Sequence, residues 1–403
     1  MNRDKLRELS AQAGTPAYIF DLGEFERRAA TVQRYFDGRL GMCFSIKANP
    51  FLLKYLPDAF DRIEVCSPGE LTVCERLGAD MSKVIFSGVN KTRPDVERAA
   101  DDRVGVFTAE SMLHLELIND AALRRDTVFE LLLRVTDVKG GSQFGIDEAA
   151  VLDLIKNRAA YPGVKIVGLH YFTGTGKKKP KLIERELDYL IDLLGRIRSD
   201  LGFTVERVEY GTGLAVDYFD ENADALEEER LAAITPKLHE LADCCELTVE
   251  MGRFFAAPCG YYLTKVVDVK TNAGINYAIV DGGLHQLKYD GQLQGMQIPV
   301  IWQLGENADA AEAQPWNICG SLCTTADVLV RSCELKELKI GDVLAFCRTG
   351  AYSCMEGMSI FLSRDLPAIA LYSEDKGLEL VREPLRADRL NTPILYDDLK
   401  ALF

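Results

Sequence analysis

The run Ser45-Ile46-Lys47-Ala48-Asn49-Pro50 puts a lysine directly behind a short apolar segment, residues 42–46. Strands disfavour lysine, so its place at a strand end is unusual. Two readings stand open: an exposed loop lysine, or a desolvated amine with a lowered pKa that forms a Schiff base with a carbonyl. Three further runs invite chemistry. In Gly168-Leu169-His170-Tyr171-Phe172-Thr173-Gly174-Thr175, aromatic and small hydroxyl residues share a strand end, which suits a planar ring with a phosphate tail. A lone His is usually structural. In Glu209-Tyr210-Gly211-Thr212-Gly213-Leu214, two glycines around a threonine let backbone N–H groups close around an anion, although a Gly-rich turn is more often only a turn. In Glu250-Met251-Gly252-Arg253, the charged residues make a plain surface pair, or Arg253 faces a phosphate while Glu250 keeps a ring nitrogen protonated.

The elements that must position these residues alternate. Strand-like runs fall at residues 42–46, 62–66, 84–87, 104–108, 129–135, 165–171, 205–210 and 247–250. Helix-period stretches lie between them, as at 68–77, 109–120, 180–201 and 223–242. Eight β-α units predict an α/β fold, a (β/α)8 TIM-like barrel rather than an open sheet. Such barrels build their sites at the C-terminal strand ends, and commonly bind phosphate in the loops after strands seven and eight. After Arg253 the texture changes to short strands set by turns, at 261–271, 277–280, 328–331, 342–347, 368–372 and 378–381, a mostly β C-terminal domain. Residues 305–314 are polar and read as a loop or insertion. The expected division is 1–24, a segment joining the β domain; 25–255, the barrel; and 256–403, the β-rich domain.

The chain has 403 residues, 47% of them apolar, enough for two cored domains. A formal charge of -15 argues against nucleic acid. The one basic run, Lys177-Lys178-Lys179, reads as a solvated loop, or as a docking patch for an acidic substrate or partner. Eleven cysteines without metal-ligand spacing point to a reducing compartment, the cytoplasm, and to cysteines used as small core residues. No apolar run of the length that spans a bilayer occurs, and no secretory signal or membrane is expected.

Lys47 in Ser-Ile-Lys-Ala-Asn, Phe144-Gly145-Ile146, the Gly211–Gly213 turn, Glu250-x-Gly-Arg253, Cys323 and Gly350-Ala351-Tyr352 occur in that order. This order resembles the alanine-racemase-type (fold type III) barrel decarboxylases, the family of diaminopimelate, ornithine and arginine decarboxylases. The likeness runs from Thr15-Pro16-Ala17-Tyr18 to Tyr352. It implies a decarboxylase that uses pyridoxal 5'-phosphate held by Lys47. It implies that Glu250 pairs with the pyridine nitrogen, so that the ring accepts the electrons of the carbanion. Thr175, Gly213, Gly252 and Arg253 would bind the phosphate, along with Gly211, Thr212 and the Tyr352 hydroxyl. Glu64 would stand near the lysine and Arg134 would brace the site. Cys323 would come from the other subunit and help protonate the carbanion, which implies a homodimer with shared sites. Asp327 and Tyr352 would face the neighbour's cofactor.

The pattern also departs from the family. Phe172 stands where a His usually stacks on the ring, and His170 lies two residues earlier, on the same side of the strand. Cys323-Thr324-Thr325 lacks the acidic reader of a distal ammonium, and Asp281-Gly282-Gly283-Leu284-His285 is not followed by the expected Arg. Thr324, Asp327 and His285 are therefore the candidate substrate residues. The Thr-Gly-Thr, Asp-Gly-Gly-Leu-His and Leu-Cys-Thr combination is more similar to a group that decarboxylates glutamate tethered to an acyl carrier protein. Diaminopimelate decarboxylase and a racemase on the same barrel are the alternatives, and Glu250 favours decarboxylation over racemisation. A cofactor-homeostasis barrel would lack the β domain, and a sugar-phosphate barrel enzyme would show no visible-edge absorbance tied to Lys47.

Overall fold

The computed structural model describes residues 1–136, 142–293, 296–305 and 312–393. The polar stretch at 305–314 lies for the most part outside them. Two compact units make up the chain: residues 26–217 with 224–255, and residues 1–25 with 218–223 and 256–403.

The chain opens with α1 (Arg3–Ala13), β1 (Ala17–Asp21) and α2 (Leu22–Phe36). The barrel strands follow: β2 (Gly41–Ser45), β3 (Arg62–Val65), β4 (Val84–Phe86), β5 (Val106–Ala109), β6 (Phe129–Val135), β7 (Val164–Tyr171), β8 (Arg207–Gly211) and β9 (Glu246–Met251). All neighbours pair in parallel, and β9 closes on β2, giving a complete eight-stranded barrel as expected. Parallel strands are covered on both faces, so they read as apolar runs rather than alternations, and β4, β5 and most of β6 are buried throughout. Cys43, Ile85, Val106, Leu132 and Val167 form one buried cluster, one residue from each of five strands. A bulge at Val167 lets Leu131 face Ile166 and Leu132 face Gly168. Gly168 is required there, because a Cβ would lie 1.8 Å from the Arg207 carbonyl oxygen.

The helices between strands start on strong local signals. Ser67 caps α3 (Pro68–Arg76), with proline at the first position. Thr92 and Asp95 form a reciprocal capping box on α4 (Arg93–Asp101), and Ser111 caps α5 (Met112–Arg124). Next come α6 (Glu148–Lys156), α7 (Pro180–Leu201), α8 (Ala223–Ala242) and the short α9 (Arg253–Ala256). Gly202, in the left-handed region at φ 59°, ends α7.

The second unit is mostly β. It holds β10 (Gly260–Asn272), β11 (Ile275–Val280), β12 (Ile301–Gln303), β13 (Gln314–Cys319), β14 (Val328–Leu335), β15 (Val343–Cys347), β16 (Ala368–Ser373) and β17 (Gly377–Arg382), with the short α10 (Asp388–Asn391). The strand order is β14-β13-β11-β10-β1-β16-β17, with β15 bridging β10 and β12. β1 pairs antiparallel to β10 and parallel to β16. Leu6, Leu9, Ile19, Leu263, Leu304 and Ala345 share one core there.

Candidate active site

The chemistry-bearing side chains of the barrel unit gather at the C-terminal strand ends. β2 runs directly into a 3-10 turn, Ile46–Ala48, which swings Lys47 over the barrel mouth. Its Nζ donates to Glu64 Oε2 at 2.7 Å and lies 3.6 Å from Glu250 Oε1. Cys66 Sγ is 3.5 Å from the same amine and 3.0 Å from Glu64 Oε1. The lysine keeps a third of its side chain exposed, while both carboxylates are buried. An accessible amine in contact with a buried acid has a proton acceptor in reach, which is what an ammonium must have before it can act as a nucleophile.

Glu250 is fixed on three sides. Ser45 Oγ donates to Oε1 at 3.0 Å, and His170 Nε2 lies 3.1 Å from Oε2. Burial pushes this carboxyl up, and is the largest single influence. The Lys47 charge and the hydrogen bond and charge of His170 together outweigh it and hold the group well below the usual carboxylate range. Glu209, one strand away, goes the other way. Its burial, then the charges of Glu250 and Glu64, push it well above the usual range and favour the neutral acid. Two carboxylates in one barrel are thus split into an anion and an acid.

His170 therefore braces Glu250, with a buried ring. Phe172, at the tip of the same strand end, packs against Gly211, where a Cβ would fall 2.5 Å from the ring. The Arg134 guanidinium lies 4.6 Å from the Phe144 ring centroid and 6.0 Å from that of Phe172. Arg134 also pairs with buried Glu110 at 3.0 Å. Phe144 reaches it because Gly145, at φ 80°, turns the chain back so that Ile146 N donates to the Arg134 carbonyl of β6 at 2.8 Å and its own carbonyl accepts from Thr136 N at 3.0 Å.

The glycine runs form a cradle. Gly213 has φ 61°, and a Cβ on it would lie 1.9 Å from the Gly174 carbonyl oxygen. A Cβ on Gly252 would lie 2.8 Å from Ala48 Cβ, so this glycine lets β9 end against the Lys47 turn. Arg253 follows at the start of α9, and Thr175 is exposed on its loop. The Thr212 hydroxyl is buried and accepts from the Leu214 amide at 3.2 Å, so it shapes the turn rather than pointing outward. The basic run is not a solvated patch as a whole: Lys177 pairs with Glu186 at 2.7 Å, and Lys178 with Asp217 at 3.0 Å.

The other candidates lie in the β unit. Cys323 is exposed. Tyr352 sits in the left-handed region at φ 64°, a conformation that costs a non-glycine residue about 1–3 kcal/mol and that the surrounding turn must enforce. Asp327 has its carboxylate engaged within its own chain. It is buried, and its oxygens accept from the amides of Leu284 at 2.8 Å and Leu322 at 2.7 Å, so it ties the Cys323 turn to the Gly283 turn. His285 is likewise buried, with its pKa lowered to about 4 by burial and then by Arg364. Thr324 Oγ1 accepts from the Ala326 amide at 3.3 Å, within the same turn. Sequence reasoning missed Ser45, Cys66, Lys91, Glu110, Glu186 and Glu209, because each matters through a partner on another strand or helix. Among the described residues, no His, Cys, Asp or Glu cluster could hold a metal, and no helix is long and apolar enough to cross a membrane.

A closed parallel barrel with an amine over buried carboxylates and a glycine cradle beside them defines a barrel enzyme built for a phosphorylated carbonyl cofactor. The family model for the pyridoxal-dependent decarboxylase, pyridoxal binding domain, matches residues 22–257, and the chain belongs to that family. The cofactor is pyridoxal phosphate and the enzyme is a carboxy-lyase. The chain is 26% identical to the L-glutamyl-(BtrI acyl-carrier protein) decarboxylase of Niallia circulans, over 100% of this chain and 99% of the relative. It is 29% identical to the diaminopimelate decarboxylase of Haemophilus influenzae, over 86% of each. Its fold matches that of the diaminopimelate decarboxylase of M. jannaschii, solved with L-lysine, at a TM-score of 0.84, 23% identity, and 98% and 95% coverage of the two chains. The residues present fit the cofactor: an amine for its carbonyl, an ionised carboxylate for its ring nitrogen, and a cradle that a Cβ would fill for its phosphate.

Proposed function

We propose that this chain removes CO2 from the α-carboxylate of an amino acid or amino-acid conjugate, with Lys47 as the amine that holds pyridoxal phosphate. The position of Lys47 Nζ between Glu64 and Glu250 carries the reading. Bound there, the cofactor supplies an electron sink for the pair left behind by departing CO2. Glu250, kept ionised, holds a proton on the ring nitrogen, and Ser45 and His170 fix the direction of its carboxylate. Glu64 takes and returns the proton at Lys47 Nζ. Arg134, held by Glu110, and Phe172 wall the ring. Gly211, Gly213, Gly252, Arg253 and Thr175 hold the phosphate, with the turn shaped by Thr212. Tyr352 and Cys323 act from a second copy in a homodimer, the tyrosine on the phosphate and the thiol as proton donor to carbon.

For the substrate, we infer an amino acid tethered to an acyl carrier protein. Cys323-Thr324-Thr325 has no acid to read a distal ammonium, and the Thr324 hydroxyl is engaged in its own turn. The carrier-dependent relative matches both chains over their whole length. A screen by CO2 release tests this, with glutamyl-loaded carrier expected to outpace free glutamate and meso-diaminopimelate. Efficient turnover of a free amino acid, with the loaded carrier ignored, would sink it. The second reading is diaminopimelate decarboxylation, favoured by the higher identity to the Haemophilus enzyme. An absorbance band near the visible edge, lost in Lys47→Ala, checks the cofactor-holding lysine independently of any substrate.

A further inference from the structure

Glu186 is not among the residues proposed to hold the cofactor, yet it is tied to both loops that build the cradle. It lies on the second turn of α7 and is mostly buried. Thr173 Oγ1 donates to its Oε1 at 2.5 Å, and Lys177 Nζ and Tyr210 Oη both donate to its Oε2 at 2.7 Å. Thr173 and Lys177 belong to the loop after β7. Tyr210 is the fully buried penultimate residue of β8, next to Gly211. The two loops are also zipped by backbone: Lys177 N donates to the Gly213 carbonyl at 2.9 Å, and Ala215 N to the Lys177 carbonyl at 3.2 Å. Gly213 and Gly174 touch so closely that no side chain fits between them. The orientation of the N–H groups around Gly213 thus depends on the register of the two loops, and one carboxylate pins that register from three directions.

We propose that Glu186 is a positioning residue that sets the phosphate-binding cradle, acting through Thr173, Lys177 and Tyr210 and not by touching the cofactor. A bare carboxylate behind an anion-binding cradle would repel the anion. The Lys177 ammonium cancels that charge locally, so the clamp holds the loops without lowering anion affinity. Three donors on one acid also make the arrangement intolerant of an amide, which offers only one acceptor oxygen.

The inference rests on the reading that this cradle binds the cofactor's phosphate, and the test separates the two. The purified full-length protein is freed of cofactor and titrated with pyridoxal phosphate and, separately, with pyridoxal, which lacks the phosphate. Binding is followed by absorbance. The wild type should prefer the phosphorylated form. Glu186→Gln should weaken pyridoxal phosphate roughly five- to tenfold, the worth of about one net hydrogen bond, and leave pyridoxal unchanged. Thr173→Val, which removes a single donor from the same carboxylate, should move in the same direction by less, and serves if Glu186→Gln folds poorly. An equal loss for both ligands, or no loss for either, overturns the proposal and reduces Glu186 to a structural brace. A wild type that binds both ligands equally overturns the cradle reading itself, and the role of Glu186 falls with it.

Discussion

Glu250→Gln keeps the shape of the site and removes its charge. The anion is held by Ser45, His170 and the Lys47 ammonium, and an amide cannot fix a proton on a ring nitrogen. The expected loss in kcat is about 10²–10³-fold, the size seen when one preorganised electrostatic partner is deleted. The pH dependence is equally specific. A carboxyl whose folded pKa is depressed contributes stability above its unfolded value and loses it only as pH falls through the folded one. Against its burial, Glu250 is held well below its ordinary value of 4.5 by the Lys47 charge and by His170, and a protonated ring nitrogen would take over from the Lys47 charge once the lysine holds the cofactor, so the carboxylate stays ionised across the acid-to-neutral range. The acid limb of the wild-type kcat profile therefore belongs to another group, and Glu250→Gln should lower the plateau without moving that limb. A limb that shifts in the variant contradicts this. Lys47 and Glu250 were legible in the sequence because each sits in a short run with marked spacing. Glu209 and Cys66 were not: burial inside the closed barrel, and then the charges of Glu250 and Glu64, push one toward the neutral acid, and the other is a thiol at Lys47 only because β3 lies next to β2. Partners set by strand pairing leave no local trace.

The barrel strands were read to within two residues at each end, since parallel strands are continuous apolar runs bounded by turn residues. β13 was missed because Pro315 reads as a strand breaker, and its polar start merges with the preceding loop. β1 was seen only as a short motif, since its strand character depends on partners far along the chain, β10 and β16. At this scale the ends of β4, β5 and β6 carry a buried ionic group that no segment announces alone. Lys91 is almost wholly buried and donates to the Gly88 carbonyl at 2.6 Å. Burial lowers its pKa to about 8, against the opposing pull of Glu110, Cys66 and Glu64, and with help from Arg134. His114, behind Glu110, is lowered to about 4 by burial and then by Lys91, so it stays neutral. A lysine whose folded pKa is depressed binds fewer protons folded than unfolded between the two values. Stability then rises with pH over that window. The expected signature is an unfolding free energy of the apoenzyme that climbs on the order of 3 kcal/mol between pH 8 and 10.5, relative to Lys91→Met. Denaturant titration of the pair at several pH values measures it, and a constant difference would show that Lys91 is not buried as a charge. Leu132→Ala, in the barrel's inner cluster, is the pH-independent control, at about 2–5 kcal/mol.

The whole molecule raises the question of how many chains make one site. Cys323 is the exposed thiol at a turn that Asp327 stiffens through two backbone amides, and it lies in the β unit, as does the left-handed Tyr352. A thiol held rigidly but left open is suited to serve a partner. The β sheet gives it a fixed platform by weaving the first strand of the chain, β1, between strands from the last third. If the two units of different copies complete each site, a variant defective in one unit can be rescued by a variant defective in the other. Lys47→Ala removes the amine proposed to hold the cofactor. Cys323→Ala removes the proposed proton donor and should cost about 10²-fold or more. Each is nearly inactive alone. Random mixing of two subunit types makes half of the dimers hybrid, and in a two-fold symmetric dimer each hybrid holds one intact site of two. Co-expression should then restore roughly a quarter of wild-type CO2 release, a level neither parent approaches. If the mixture stays at the average of its parents, Cys323 serves the site of its own chain and the shared-site dimer is wrong. When the purified parents are mixed instead of co-expressed, recovery toward a quarter appears only as subunits exchange, and the rate at which activity grows reads out how long a dimer lasts.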